Sequence, residues 1–417
     1  MTTPKLRFKE FDGYWNKNTI GNFVLNYKGG ASLTPADFVD YSECEVIPKK
    51  AISSGGALQL DKDVPTFCTP EFFNLNQNYV VDSEYLITTL RDLVPSGPSI
   101  GYIVKYEGDK QYILAQGVYG FRIKNDLCRD FLIQFSNTSK FRLHMQSIMV
   151  GSTQVHIRNH DYFSTELCIP SLLEQTKIAA FLSAVDEKIT QLTQKHQLLS
   201  QYKQGMMQKL FSQQIRFKAD DGSEFGKWES KKISDLFDEV RNKVADRDIE
   251  TYSITAGKGF VSQANKFGRD ISGKQNSNYI VLKPNDFSYN KGNSKTYKYG
   301  CVYLNELNYD IAVPNVFISF RSKKLNLVHE KFYSKLFEFH YLDRYLRLLI
   351  SSSARMDGLL NVSKDGFFEI KLPYPCLEEQ TKIANFLSAI DQKIDVVSEQ
   401  LEQAKLWKKG LLQQMFV

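Results

Sequence analysis

Long apolar runs are missing from this chain: no stretch of its 417 residues approaches 18 uncharged apolar positions, so nothing reads as a membrane span. The opening residues, Met-Thr-Thr-Pro-Lys-Leu-Arg-Phe-Lys-Glu, have no apolar core behind their charges and do not read as a secretory signal. Cysteine is scarce. The six (Cys44, Cys68, Cys128, Cys168, Cys301, Cys376) form no C-x-x-C pair, which argues against a zinc ribbon or a disulfide framework and for reduced thiols in a cytoplasmic protein. Charge of one sign is scarce too: 53 basic residues face 47 acidic ones, a net of +6. With 42% hydrophobic and 24% charged residues the chain is neither disordered nor collagen-like. Its length calls for two or more domains.

Catalytic motifs are also absent. Gly268 to Gln275 nearly matches a phosphate-binding loop, but Gln275 stands where a hydroxyl should meet Mg²⁺. Asp186-Glu187-Lys188 and Asp391-Gln392-Lys393 have the D-x-K spacing of some nucleases, yet no acidic strand partner precedes them. They read as a solvated helix face. His156 and His160 are four apart but sit among β-forming residues. There is no G-x-S-x-G and no Asn-Pro-Pro-aromatic segment for holding a flipped base. The expectation is a binding protein with no catalytic residue, no metal site and no cofactor of its own.

What the chain does have is a repeat. Residues 170–189, PSLLEQTKIAAFLSAVDEKI, match residues 375–394, PCLEEQTKIANFLSAIDQKI, at 15 of 20 positions and an offset of 205. Apolar residues follow a four–three alternation in both copies: Ile178, Leu182, Val185, Ile189, Leu192 and Leu199, then Ile383, Leu387, Ile390, Ile394, Val397 and Leu401. That is the seam of a coiled coil. Pro170 and Pro375 precede their helices, where a missing N–H costs little. From about Glu174 and Glu379 each helix has room for about 39 residues, or ~58 Å at 1.5 Å per residue. A weaker echo opens each half: Leu6-Arg7-Phe8-Lys9 matches Ile215-Arg216-Phe217-Lys218, and Trp15 matches Trp228. The predicted order is a globular part over 1–169, a helix over 170–212, a second globular part over 213–374 and a helix over 375–417. Runs such as Tyr279–Leu282 and Val316–Phe320, mixed with helical stretches, make the globular parts mixed α and β, an α+β chain overall.

The charge is uneven. Residues 213–374 hold 26 basic and 20 acidic residues, against 17 and 18 in 1–169. Within 257–300, Lys258, Lys266, Arg269, Lys274, Lys283, Lys291, Lys295 and Lys298 face only Asp270 and Asp286, interleaved with glycine, asparagine and tyrosine. Such loops suit phosphate, sugar and base contacts. Lys258, Lys266, Arg269, Lys274, Lys291, Lys295 and Lys298, with Asn290 and Arg355, form the second half's candidate DNA-binding set. In the first half the candidates are Lys28, Lys49, Lys50, Ser99, Lys105 and Gln154, in or beside glycine-rich loops that plain turn chemistry also explains.

The arrangement resembles the specificity subunits of type I restriction–modification systems. The resemblance spans the chain. It rests on the alternation of globular part and helix, the Pro-x-Leu-x-Glu-Gln-Thr-Lys-Ile-Ala-x-Phe-Leu-Ser-Ala core of each helix, the opening Pro4–Gly13 with Trp15, and the domain ends Gly151-Ser-Thr-Gln154 and Gly358-Leu-Leu-Asn361. It implies two target recognition domains, each reading one half of a bipartite DNA target. The helices would form an antiparallel coiled coil with pseudo-twofold symmetry. They would set the spacer and dock two modification (methyltransferase) subunits, with two restriction subunits joining for cleavage. S-adenosylmethionine, ATP and Mg²⁺ would belong to those partners. The competing readings are a DNA-independent coiled-coil adaptor and, more remotely, an autonomous nuclease.

Overall fold

The computed structural model describes residues 3–61, 63–264, 277–292, 296–323, 326–350 and 360–417. The chain divides into two compact units. One comprises Met1–Gln194 with Ser398–Val417, and the other Lys195–Val397. The division falls inside the two long helices, so each unit holds one globular part and a portion of both helices. The helices run Leu172–Phe211 and Leu377–Met415, 40 and 39 residues long.

In the first unit, strands Asn16–Thr19 and Glu166–Ile169 pair antiparallel and close the globular part at its two ends. A four-stranded antiparallel sheet follows the order Val24–Lys28, Val118–Ile123, Leu86–Thr89, Ile103–Val104. A second sheet places Tyr112–Leu114 between Val46–Ile47 and Val80–Val81. β-Branched and aromatic residues that alternate on a pleated surface explain these short strands. One core joins Trp15, Phe121 and Phe131 to Ile178, Leu182 and Val185 of the first long helix, to Leu411 and Met415 of the second, and to Phe416 just beyond it.

The second unit repeats the plan. Strands Glu229–Lys232 and Lys371–Tyr374 close it. Its four-stranded sheet has the order Phe237–Glu239, Ile318–Ser322, Phe287–Asn290, Cys301–Leu304. Its core joins Phe287, Phe320, Phe332 and Phe367 to Met207, Leu210 and Phe211 of the first helix and Ile383, Leu387 and Ile390 of the second. In both units the start of one long helix and the end of the other share a core with the globular part, so the helices lie antiparallel where they meet. A single apolar stripe is poorly stable in water, and burial against both neighbours is what stabilises it.

Candidate nucleic-acid interface

Three segments distant in sequence meet at one edge of the second unit. The turn between strands Tyr252–Thr255 and Gly259–Ser262 carries Lys258, and the Gly257 N–H donates to the Tyr303 hydroxyl at 2.8 Å. Asn290 donates through Nδ2 to the Ile254 carbonyl (3.1 Å) and accepts from the Gly292 N–H (2.9 Å). Lys291 donates to the Val362 carbonyl at 3.1 Å, while its own carbonyl accepts from the Leu360 N–H. Asn290 and Lys291 therefore hold the edge together, whereas Lys258 and Lys298 are exposed on it. Gly300 closes the hairpin with φ +78°, where a Cβ would come within 2.3 Å of the Asn290 carbonyl oxygen. Lys266, Arg269, Lys274, Lys295 and Arg355 lie outside the described residues.

Beside these loops is a cavity of about 540 Å³, lined in part by Lys258, Tyr297, Tyr303, His340 and Asp343. His340 takes up the left-handed backbone conformation at φ +60° and packs against Tyr297, with ring centres 5.0 Å apart and the planes tilted by 38°. Its hydrogen bond to Asp343 raises its pKa above the ordinary histidine value, and this outweighs the effect of burial. Burial pushes the pKa of the Tyr303 hydroxyl up.

The first unit sorts its candidates differently. Lys28 points inward: its ammonium donates to the Val80 carbonyl at 2.6 Å, lies over the Tyr85 ring, and burial lowers its pKa. Lys105 is paired with Asp130 at 2.8 Å. Ser99 donates to Asp92 at 2.6 Å and secures its own loop. Gln154 is exposed on the tight turn that the Val150–His156 bridge closes. The Ser99 and Gln154 loops share an edge because strand Arg91–Asp92 pairs with Val155–His156. Exposed Arg91 and His156 join them there; no sequence signal marks Arg91, and His156 stands out in sequence only for its spacing to His160. Lys49 and Lys50 stand apart on a short 3₁₀ turn, with Lys50 facing Asp61 at 3.4 Å. The structure thus presents Lys50 and Gln154 to solvent, leaves Lys49 half-buried, and commits Lys28, Ser99 and Lys105 to internal contacts.

The repeated helix starts have a structural role. In the first unit Glu174, buried, accepts from Arg7 Nε and Nη2 at 2.7 Å each and from Trp15 Nε1 at 3.3 Å. In the second, Glu379 accepts from Arg216 at 2.9 and 2.7 Å and from Trp228 at 2.8 Å. A bidentate arginine on a buried carboxylate is among the strongest and most directional of protein contacts. The next residue clamps as well. Gln175 accepts from the Cys128 N–H and donates to the carbonyls of Asp126 and Pro170, and Gln380 does the same with the His329 N–H, Leu327 and Pro375. The Glu-Gln pair of each repeat is therefore what fastens a helix start to its globular part.

Two expectations change. Asp186 and Asp391 are not a solvated face: each side chain is 23% exposed and ion-paired, Asp186 with Lys408 and Asp391 with Lys203 and Lys335. Helical periodicity cannot reveal a partner on another element. Along the seam, Ile178, Leu182, Val185, Leu192, Ile383, Leu387, Ile390 and Val397 are buried, but Ile189, Leu199, Ile394 and Leu401 are only half-buried. The deepest contacts gather near the globular parts. Among the described residues no group of three or more His, Cys, Asp or Glu is placed to hold a metal ion, and no helix is long and apolar enough to cross a membrane.

Comparison with known proteins gives one consistent result. The family described as the type I restriction modification DNA specificity domain matches residues 14–201 and 226–406. Over 439 positions the chain is 25% identical to the type I restriction enzyme MjaVIII specificity subunit of Methanocaldococcus jannaschii, covering 97% of this chain and 94% of that one. It is 24% identical over 342 positions to the putative type I restriction enzyme MjaX specificity subunit of the same organism, covering 76% and 75%. In fold it is similar to the type I restriction–modification system S subunit from M. genitalium, with a TM-score of 0.61 at 17% identity, covering 100% of this chain and 99% of that one. A match to a DNA specificity family removes the DNA-independent adaptor as a reading. Since that match falls once on each half of the duplication, the chain belongs to the type I restriction–modification DNA specificity family, as a specificity subunit.

Proposed function

We propose that each globular part of this specificity subunit reads one half of a bipartite, asymmetric DNA target. The paired helices hold the two readers at a set separation and dock two modification subunits, and two restriction subunits join the assembly for cleavage. The chain itself performs no chemistry. S-adenosylmethionine serves the modification subunits, and ATP with Mg²⁺ serves the restriction subunits. Phosphate contacts come from exposed cations, Lys258 and Lys298 in the second half and Lys50 and Arg91 in the first, with half-buried Lys49 beside them and Gln154 available to a base edge.

The observation that carries this reading is a contrast. The same Arg–Glu–Trp and Gln clamps fasten both globular parts to near-identical helix starts, while the loops at their edges share no sequence. A duplicated mount with two unlike surfaces suits two unlike half-sites. Specific readers of this kind favour a fixed half-site separation, about 34–36 Å for one duplex turn.

The test is duplex binding by the chain assembled with its modification subunits, as a function of salt. A protein neutralising six to ten phosphates should lose roughly 10³–10⁵ in affinity between 50 and 200 mM salt. Affinity that is flat across that range would refute the reading.

A further inference from the structure

The two ion-paired aspartates sit at matching places in the duplication. Asp186 and Asp391 are 205 residues apart, and so are their partners Lys203 and Lys408. In the first unit Asp186 of the first long helix meets Lys408 of the second, and Gln134 of helix Arg129–Ser136 donates to the same carboxylate at 2.8 Å. In the second unit Asp391 of the second long helix meets Lys203 of the first, together with Lys335 of helix Glu330–Glu338. Glu338 completes that network by meeting Lys203 and, at 3.4 Å, Lys335. Each joint thus ties three elements: both long helices and one helix of the globular part.

Such a joint does what an apolar seam does not. A heptad stripe offers similar surface after a slip, so apolar contacts alone specify register weakly, and polar groups in or beside the seam specify it strongly. Sliding one helix by a single residue moves a side chain about 1.5 Å along the axis. The lysine side chains are only 12% and 13% exposed and the aspartates 23%, so a slip would leave poorly hydrated charges apart. Burial opposes the charge on Lys335, yet Glu338 and Asp391 outweigh it and hold the lysine above its ordinary pKa, so it stays charged. The third arm of each joint extends the constraint from helix register to the seating of the globular part.

We infer that Asp186 with Lys408 and Gln134, and Asp391 with Lys203, Lys335 and Glu338, are positioning residues that determine the number of unread base pairs between the two half-sites. The inference rests on the bipartite reading proposed above. Its sensitivity follows from DNA geometry. Neighbouring base pairs are about 3.4 Å apart along a strand, and a turn takes about 10 of them, so a shift of ~3 Å or a rotation of ~36° in a reader changes the preferred spacer by one.

The experiment uses the chain assembled with its modification subunits and a pool of duplexes bearing the wild-type half-sites, with the spacer varied one base pair at a time. Methylation of each member is read by sequencing. Wild type should select one spacer length. Asp186→Lys alone and Lys408→Asp alone should spread methylation over two or more lengths, with the preference for the original length falling at least tenfold. The double swap should restore a single sharp length. Gln134 can serve the swapped pair, because its Oε1 is a buried acceptor with no partner among the described residues. If the lysine variant does not assemble, Asp186→Asn keeps the volume and the Gln134 contact and is read the same way. Variants that assemble and keep the wild-type spacer preference within twofold would overturn the inference. A wild-type complex that methylates no two-part site at all would instead overturn the reading beneath it.

Discussion

Replacing Glu379 by alanine should be among the most damaging single changes in the second unit. The side chain is fully buried and accepts three hydrogen bonds, two from Arg216 and one from Trp228. Removing one partner of a buried ion pair costs about 3–5 kcal/mol, mostly because the other charge is stranded. Arg216 is 21% exposed and keeps a bond to the Gly226 carbonyl at 2.7 Å, which places its share at the lower end of that range. The Trp228 N–H, left without an acceptor, adds about 1 kcal/mol. The sum is about 4 kcal/mol, and for a unit of this size each kcal/mol lowers the unfolding midpoint by roughly 2–4 °C, so a fall of about 10 °C is expected. Glu174→Ala should cost at least as much: Trp15 stands farther from its acceptor than Trp228, 3.3 Å against 2.8 Å, but the stranded Arg7 is less exposed than Arg216, 14% against 21%. The assay is thermal and urea unfolding of the full chain, with Arg216→Met and the double variant completing a cycle. A loss under 1 kcal/mol for Glu379→Ala, or a double variant that is simply additive, would show that the clamp does not hold the helix start.

Lys258→Ala and Lys298→Ala should each lower the slope of log affinity against log salt by about one and weaken binding to all sequences alike, whereas Lys28→Ala should leave the slope unchanged and lower stability; equal slopes for all three would contradict the sorting of exposed from internal lysines. Leu387→Ala, at a fully buried seam position, should cost about 2–5 kcal/mol in urea unfolding, and Ile394→Ala, half-buried, distinctly less. The pKa of His340 is raised by Asp343, so its contribution to stability is complete below the unfolded value near 6.5 and is lost as pH rises through the folded value. His340→Asn, which tolerates the left-handed backbone, should remove that part of the pH dependence; identical pH profiles of the unfolding midpoint would refute it.

Much of this architecture is written locally. The 205-residue offset and the four–three spacing are enough to place both long helices, since a heptad stripe is a property of one segment. The clamps were visible only as a recurring Glu-Gln and a faint echo of Arg7 and Trp15 in Arg216 and Trp228. Their meaning depends on contacts across more than 150 residues, which no window along the chain contains. The loops show the same limit. Lys28 and Lys258 both neighbour glycines, but strand pairing turns the first onto the Val80 carbonyl and leaves the second in solvent. Asp186 and Asp391 looked solvated because their cations come from the other helix and, for Asp391, also from the globular part.

The most direct measurement is a map of methylated sites in cells that carry this chain with its modification subunits, made before and after residues 1–169 are exchanged for the corresponding part of another specificity subunit. Two independent readers on a shared mount predict that one half of the target changes while the other half and the spacer stay. A target altered in both halves, or in neither, would contradict that account.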